Sequence, residues 1–279
     1  MIKNIFLLTV LFFGLQFNGI AQDGKLNKAK ESLKTTNSSG NSGKRTSKTT
    51  NSNRNSFNDD IENPFARIIW SIAAYTFYGV VIESPFERYG RMHDAEIANY
   101  AYKESNYGNF IYTDSTNYNI TRFDFTTNFV LENKNLYGNN FGVNFRFLKR
   151  FALDVDVLYL IENLNGTNDS FTLYAALLKY YRVRTQRFDA WFGLGVMHVG
   201  SDVNTASFGM GVGAEWFIKK PISLDFAHKW TNINQQEVHK TKLWLKYHIK
   251  NYQVFSGYEH FKIGVSKINA FSVGVGASF

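Results

Sequence analysis

The strongest order in this chain is a period of two. Phe123, Phe125, Phe129 and Leu131 alternate with Arg122, Asp124, Thr126 and Asn128. Phe141, Val143, Phe145 and Phe147 alternate with Gly142, Asn144 and Arg146, and Phe151, Leu153, Val155, Val157 and Tyr159 with Ala152, Asp154 and Asp156. Comparable runs cover 171–184, 187–199, 205–218, 222–231, 238–250, 252–262 and 269–279. Successive side chains of a strand point to opposite faces, so each run has one apolar face and one polar or small face. The pattern predicts about ten strands of roughly 10–13 residues, enough to cross a bilayer when tilted.

The joins are expected to alternate as well. Leu148 to Arg150, Thr185-Gln186, Lys219 to Pro221 and Lys250-Asn251 read as tight turns. Glu132 to Asn140, Glu162 to Ser170, Gly200 to Thr205, Thr231 to Glu237 and Lys262 to Asn269 read as longer, Asn-rich loops. Short turns on one side and long loops on the other is the asymmetry of outer-membrane barrels. An even strand number brings both barrel ends to the short-turn side, which suits an N-terminal leader in the periplasm.

Alternation does not by itself say which face points inward. Here the apolar face is crowded with large side chains, while the other carries Gly193, Gly195, Gly209, Gly211 and Gly213 beside charged groups. Ten strands enclose a lumen too narrow for the Phe-bearing face. Backbone groups in lipid are satisfied only by closure. Tyr159, Phe171, Phe188, Trp230, Tyr247 and Tyr252 lie near strand ends, where interfacial aromatics belong. The expected fold class is all-β: a closed antiparallel transmembrane up-and-down barrel over 119–279.

The rest of the chain reads differently. Residues 1–21 have Lys3, an apolar core from Ile5 to Leu15, and Gly19 and Ala21 before a cleavage point, the features of a secretory signal peptide. Residues 22–63 are rich in Ser, Thr, Asn, Gly and Lys and are expected to be a disordered leader, because they lack apolar surface to offset ordering entropy. Residues 64–118 form a pre-barrel connection. Within it Ile68 to Ile82 carries no charge but falls short of the ~20 residues of a membrane helix. This stretch is read as a helix at the periplasmic interface or a plug in the barrel mouth.

Charge follows this division. The chain carries a formal +8 overall, and between Gln22 and Ser56 eight basic residues face only Asp23 and Glu31. The basic balance therefore belongs to the leader and not to a folded face, which argues against a nucleic-acid partner. The absence of Cys excludes disulfides, thiolate metal sites, Cys nucleophiles and lipoprotein acylation.

The last strand carries a resemblance. Phe271, Val273, Val275, Ala277 and Phe279 alternate with Ser272, Gly274, Gly276 and Ser278. This resembles the C-terminal assembly signal of outer-membrane barrels and implies recognition by the barrel-assembly machinery. Residues 92–279 resemble small uncharacterised outer-membrane barrels of the Bacteroidetes type, through Met92 to Glu96, Tyr247 to Tyr252 and Gly257 to His260; Ile20-Ala21-Gln22 also fits that group. The resemblance implies fold and location, and no activity.

Candidate chemistry is sparse. Arg122, Arg146, Asp154, Asp156, Glu215, Lys240, Lys242, Lys246 and Glu259 are expected to face the lumen as a mixed-charge network. Asp154 and Asp156 could work as an acid–base pair. Proteases of the omptin type use Asp pairs with an Asp–His couple, but at the outer rim, whereas this pair follows a periplasmic turn. Lipid A deacylases carry a His-x-Ser-Asn stretch that His228-Lys229-Trp230-Thr231-Asn232 matches only with its hydroxyl on the wrong face. His93, Asp94 and Glu96 form a weak metal candidate, and His239, His248 and His260 lie on separate segments. The reading is therefore no enzyme, no cofactor and no metal. It is an integral outer-membrane barrel with a structural or binding role, with a narrow pore or small-solute transporter as the alternative and a hydrolase of lipid A or peptides behind both. Expected partners are outer-membrane lipid and lipopolysaccharide, the assembly machinery, and a periplasmic partner or peptidoglycan through the basic leader.

Overall fold

The ten alternating runs become ten strands because alternation lets one apolar face meet lipid while every backbone group is paired. The computed structural model describes residues 24–34, 95–103, 107–112, 120–164, 167–200 and 202–279. The signal peptide, the apolar stretch at 64–90 and the His93-Asp94 pair lie outside the described residues.

A helix, α1 (Lys25–Lys34), comes first, then a two-stranded sheet of β1 (Ala95–Ile97) and β2 (Phe110–Tyr112). The barrel follows as β3 (Thr121–Leu131), β4 (Leu136–Phe147), β5 (Phe151–Leu164), β6 (Thr167–Arg184) and β7 (Phe188–Val199). It continues as β8 (Thr205–Lys219), β9 (Ile222–Ile233), β10 (Gln236–Ile249), β11 (Tyr252–Ile263) and β12 (Ser266–Ser278). Each strand pairs antiparallel with its sequence neighbours, and β12 closes on β3, with Phe271 opposite Leu131 and Ser278 opposite Asp124. The chain end is stitched into this seam: the Phe279 N–H donates to the Phe123 carbonyl and the Phe123 N–H to the Phe279 carbonyl, both at 2.8 Å.

The outer wall is greasy. Phe129, Phe141, Phe208, Trp216 and Val275 stay 46–56% exposed on a fully formed fold. The inner wall carries the charges: Arg122, Arg146, Asp154, Asp156, Lys229 and Glu259 are all buried. Closure, with no open strand edge, a lipid-compatible exterior and an ionic interior, satisfies the requirements of a transmembrane barrel.

Three features depart from the sequence pattern. The long loops are short: β3–β4, β5–β6, β9–β10 and β11–β12 are joined by 132–135, 165–166, 234–235 and 264–265. Strands run on through the Asn-rich stretches because Asn there pairs in the ladder, as Asn139 does with Tyr159 and Asn269 with His260. Phe171 is not an interfacial aromatic; it points inward and is fully buried. Residues 25–34, inside the stretch expected to be disordered, are helical.

The helix is explained by what it touches. Leu26, Ala29 and Leu33 recur at i, i+3 and i+7, one apolar stripe on a short Lys- and Asn-rich helix. So short a helix is not stable alone in water, so its order comes from packing. The inner wall supplies the surface. Along β5, Asp154 and Asp156 are followed on the same face by Leu158 and Leu160; along β11, Glu259 is followed by Phe261 and Ile263. With Leu136, Phe171, Leu173, Val199, Ile233, Val238 and Ile268, these form an apolar collar at the end of the barrel away from the chain terminus. Leu26, Ala29 and Leu33 seat in it.

Candidate functional site in the barrel interior

The interior has three levels: the collar holding α1, a belt of ion pairs, and a closure built by 95–103 and 107–112. Every candidate lumen residue lies on this inner wall.

At the top, Glu162 of β5 caps the start of α1. Its carboxylate accepts the Lys25 N–H at 3.0 Å and the Leu26 N–H at 2.7 Å. A carboxylate there satisfies orphan donors and complements the helix dipole. Lys25 Nζ pairs with Glu132 at 2.7 Å, and Lys30 pairs with Asp169 and, at 3.2 Å, with Asp202. Asn234 donates to the Leu33 carbonyl at 2.7 Å, and Ser266 to the Lys25 carbonyl at 2.8 Å. Burial pulls the Lys30 ammonium down, but Asp169 and Asp202 outweigh it and leave its pKa raised. Hydrogen bonding from Lys30, with the Lys34 charge, holds the Asp202 carboxyl below its ordinary range.

In the middle, Lys229 bridges Asp154 and Asp156, at 2.6 Å from the latter. Lys179 adds a second cation to Asp154 at 2.8 Å, and Lys240 reaches both Asp156 and, at 2.7 Å, Asn140. A second group joins Lys246 to Asp225 at 2.8 Å and Glu215 at 3.2 Å, with Lys242 on Asp225 at 3.0 Å. A third joins Asp124 to Arg122 at 2.7 Å and Arg146 at 3.1 Å. Glu259 differs: it accepts from Asn128 at 2.8 Å and Trp244 at 3.2 Å, and among the described residues no Lys or Arg forms an ion pair with it.

Between these groups a polar cavity of about 110 Å³ extends to the lower mouth, where Lys250, Asn251 and Tyr252 line it. The glycines of β8 make room for side chains, Met197 at Gly209 and Leu177 at Gly211, and a Cβ on Gly213 would lie 2.6 Å from the Trp191 ring. That ring in turn lies 4.0 Å beneath the Lys179 ammonium.

At the bottom, Asn109 is the centre of the closure. Its amide donates to Asp189 at 2.8 Å and Glu215 at 2.9 Å, while its oxygen accepts from Arg122 at 2.8 Å. Arg122 also donates to the Ala98 carbonyl at 3.0 Å. Phe110 meets Tyr181 edge-on at 5.7 Å, and Tyr102 meets Phe217 at 5.7 Å and donates to the Ile222 carbonyl at 2.5 Å. Gly108 permits the close approach, since a Cβ there would stand 2.6 Å from the Gln186 carbonyl oxygen.

Sequence reasoning missed Lys179, Lys229, Asp189, Asp225 and Asn109 as interior residues. Parity could have found Asp225 and Lys229, which share one face of β9. Asp189 was readable in the same way, since it shares a face of β7 with Gly193 and Gly195, but Asn109 had no signal, because its position depends on how 107–112 enters the barrel. The catalytic constellations are not assembled. Asp154 and Asp156 are each neutralised by lysines, and His228 faces outward while Thr231 faces inward. Glu96 pairs with Lys149.

No known protein family matches the chain, and no curated protein matches it in sequence. The chain is similar, at low scores, to several solved outer-membrane proteins. Ail of Yersinia pestis is 12% identical, overlapping 57% of this chain and 99% of its own, with a TM-score of 0.33. An outer-membrane channel of Pseudomonas putida F1 is 8% identical over 57% and 95%, with a TM-score of 0.37. The outer-membrane channel DcaP of Acinetobacter baumannii is 12% identical over 67% and 70%, with a TM-score of 0.30. These likenesses carry no functional argument; the location rests on the barrel's own surface chemistry, which is that of a protein of the bacterial outer membrane.

Proposed function

We propose that this protein is a closed, non-conducting barrel that serves the outer membrane as a structural or binding body. The observation that carries the reading is the seating of α1 in the apolar collar, with Glu162 on its first N–H groups and residues 95–103 and 107–112 packed into the opposite end. A pore needs a continuous wet path; the cavity reaches the β10–β11 turn at Lys250 to Tyr252, but above it the ion pairs bridge the lumen and α1 fills the collar. An enzyme needs a substrate within reach of unneutralised groups, and the carboxylate pair is saturated with lysines. The body would meet lipid and lipopolysaccharide along its wall and would address the barrel-assembly machinery through the outward face of β12, which ends in Val273, Val275 and Phe279. A periplasmic partner or peptidoglycan belongs to the same proposal only through the later basic residues of the leader, Lys44, Arg45, Lys48 and Arg54, because Lys25 and Lys30 are ion-paired in the collar at the other end of the barrel.

Conductance across a planar bilayer tests it. The mature protein is expected to give silence at moderate voltage. A steady open current would replace this reading with the narrow pore.

A further inference from the structure

The outer wall of β9 to β12 carries a polar block that none of this uses. His228, Thr241, His260 and Asn269 are direct cross-strand partners in one row. Two residues nearer the collar end, Trp230, His239, Lys262 and Lys267 form a second row. All eight lie on the outward face and none is buried. Below them the wall is apolar and aromatic again, with Phe226, Leu243, Tyr258 and Phe271 as the next row. Beside them β8 stays apolar at the same two rows: Val212 is opposite His228 and Met210 opposite Trp230.

Two features of the block point to an anionic partner. Lys262 and Lys267 stand directly opposite each other, and like charges in that position destabilise a strand pair. Glu237 pairs with Lys262, but among the described residues no carboxylate forms an ion pair with the exposed Lys267. The second feature is hydrogen bonding. Asn269 Oδ1 accepts the Tyr258 hydroxyl at 2.7 Å and lies 2.6 Å from His260 Nδ1, while the Asn269 side-chain nitrogen has no partner among the described residues. Open donors around an unshared ammonium suit phosphate and sugar hydroxyls. A second copy of the chain fits less well, because a two-fold contact would bring two more lysines to the same patch.

We propose that this block seats the phosphorylated sugar headgroup of an outer-leaflet glycolipid. The two rows lie toward the collar, which Ile233, Val238, Ile263 and Ile268 of the same strands help to line. A barrel of even strand number inserted from the periplasm keeps both ends there, so the collar end meets the outer leaflet. Lys267 and Lys262 take the phosphate, as basic clusters at a membrane surface take anionic headgroups. Asn269 and Thr241 meet the sugar hydroxyls, and the acyl chains descend over Phe226, Leu243 and Phe271. Polar above apolar on one wall is the order of an amphiphile standing in the leaflet.

Bisphosphorylated lipid A, added to the detergent-solubilised mature protein and followed by native mass spectrometry, is expected to give one adduct per chain. Lys262→Gln with Lys267→Gln should weaken it roughly tenfold, the size of two exposed charge contacts. Glu237→Gln should tighten it, because a competing carboxylate is gone. Lys219→Gln with Lys250→Gln, the same charge change at the other end, should leave it unchanged. Wild-type protein should prefer this lipid to its dephosphorylated form and to phosphatidylglycerol, a comparison that needs no variant to fold. No adduct, equal binding of either comparison lipid, binding that neither the lysine pair nor Glu237 affects, or an equal loss in the lower-end variant would overturn the proposal. So would a wild-type dimer dissolved by the two lysine substitutions. The proposal rests on the binding reading above, and the two fail separately: a steady current in the planar bilayer refutes the closed body, while an absent adduct in a silent barrel refutes the lipid seat alone.

Discussion

Lys229 shows how much one residue carries in this interior. It lies between Asp154 and Asp156, and its ammonium touches both. Replacing it with Met keeps most of the volume but leaves two buried carboxylates closer to mutual repulsion. Removing one partner of a buried pair costs about 3–5 kcal/mol where the other charge is stranded, and less here because Lys179 still holds Asp154 and Lys240 still holds Asp156. Lys229→Met should therefore lower the thermal midpoint in detergent, by less than a fully stranded pair would. Glu259→Gln should do the reverse. Glu259 has Asn128 and Trp244 as donors but no direct ion-pair partner among the described residues, so the amide keeps the shape and removes a buried charge that no cation touches. The midpoint should hold or rise, and a fall comparable to that of Lys229→Met would contradict this account. Parity along each strand is readable in a sequence, and it places Asp154, Asp156 and Lys229 on their faces. Which cation meets which carboxylate is not readable. Lys179 sits on β6 beside Asp154, but Lys229 comes from β9 across the lumen, and only closure brings it there.

At the scale of the element, α1 was hidden by composition and visible in spacing. Three apolar residues in ten look like a solvated tail, yet Leu26, Ala29 and Leu33 share one face. The matching signal was a change along the inner wall, where the polar positions of β5 and β11 give way to Leu158, Leu160, Phe261 and Ile263. A polar lumen needs no such collar. The outward alternation was legible because lipid demands it of each strand separately, while the loop lengths misled because Asn is as common in a loop as in a ladder. Leu26→Ala with Leu33→Ala should undock α1. Each deletion in a packed site costs about 2–5 kcal/mol, more than a helix this short can spare. Trypsin should then cut at Lys28 and Lys34 in folded protein that previously resisted, with the barrel still intact by circular dichroism.

The docking of α1 also has a pH dependence with a fixed sign. Asp202 has a lowered pKa when docked, so its contribution is present above the ordinary carboxylate range and is lost only as pH falls through the depressed value. Lys30 has a raised pKa, so its contribution is present below the ordinary lysine range and is lost as pH rises through the raised value. Protection of α1 from proteolysis should be flat from mildly acidic to mildly alkaline pH and fall at both extremes. A drop near neutrality would mean that other groups hold the helix.

For the whole molecule, the three interior levels act in series, and this fixes what removing one of them should do. If α1 alone blocked the path, Leu26→Ala with Leu33→Ala would produce an open pore. The ion-pair belt and the Asn109 closure would remain, however, and neither depends on contacts with α1. The double variant should therefore stay silent or show only brief, small openings. A steady current should need loss of the lower closure as well, for instance by adding Asn109→Ala, which frees Asp189 and Glu215 from their shared amide and removes one of the three acceptors of Arg122. If the α1 variant alone conducts steadily, the collar is a gate and the body below it is open. If the triple variant is also silent, the ion-pair belt itself is the barrier, and it seals the barrel without help from either end.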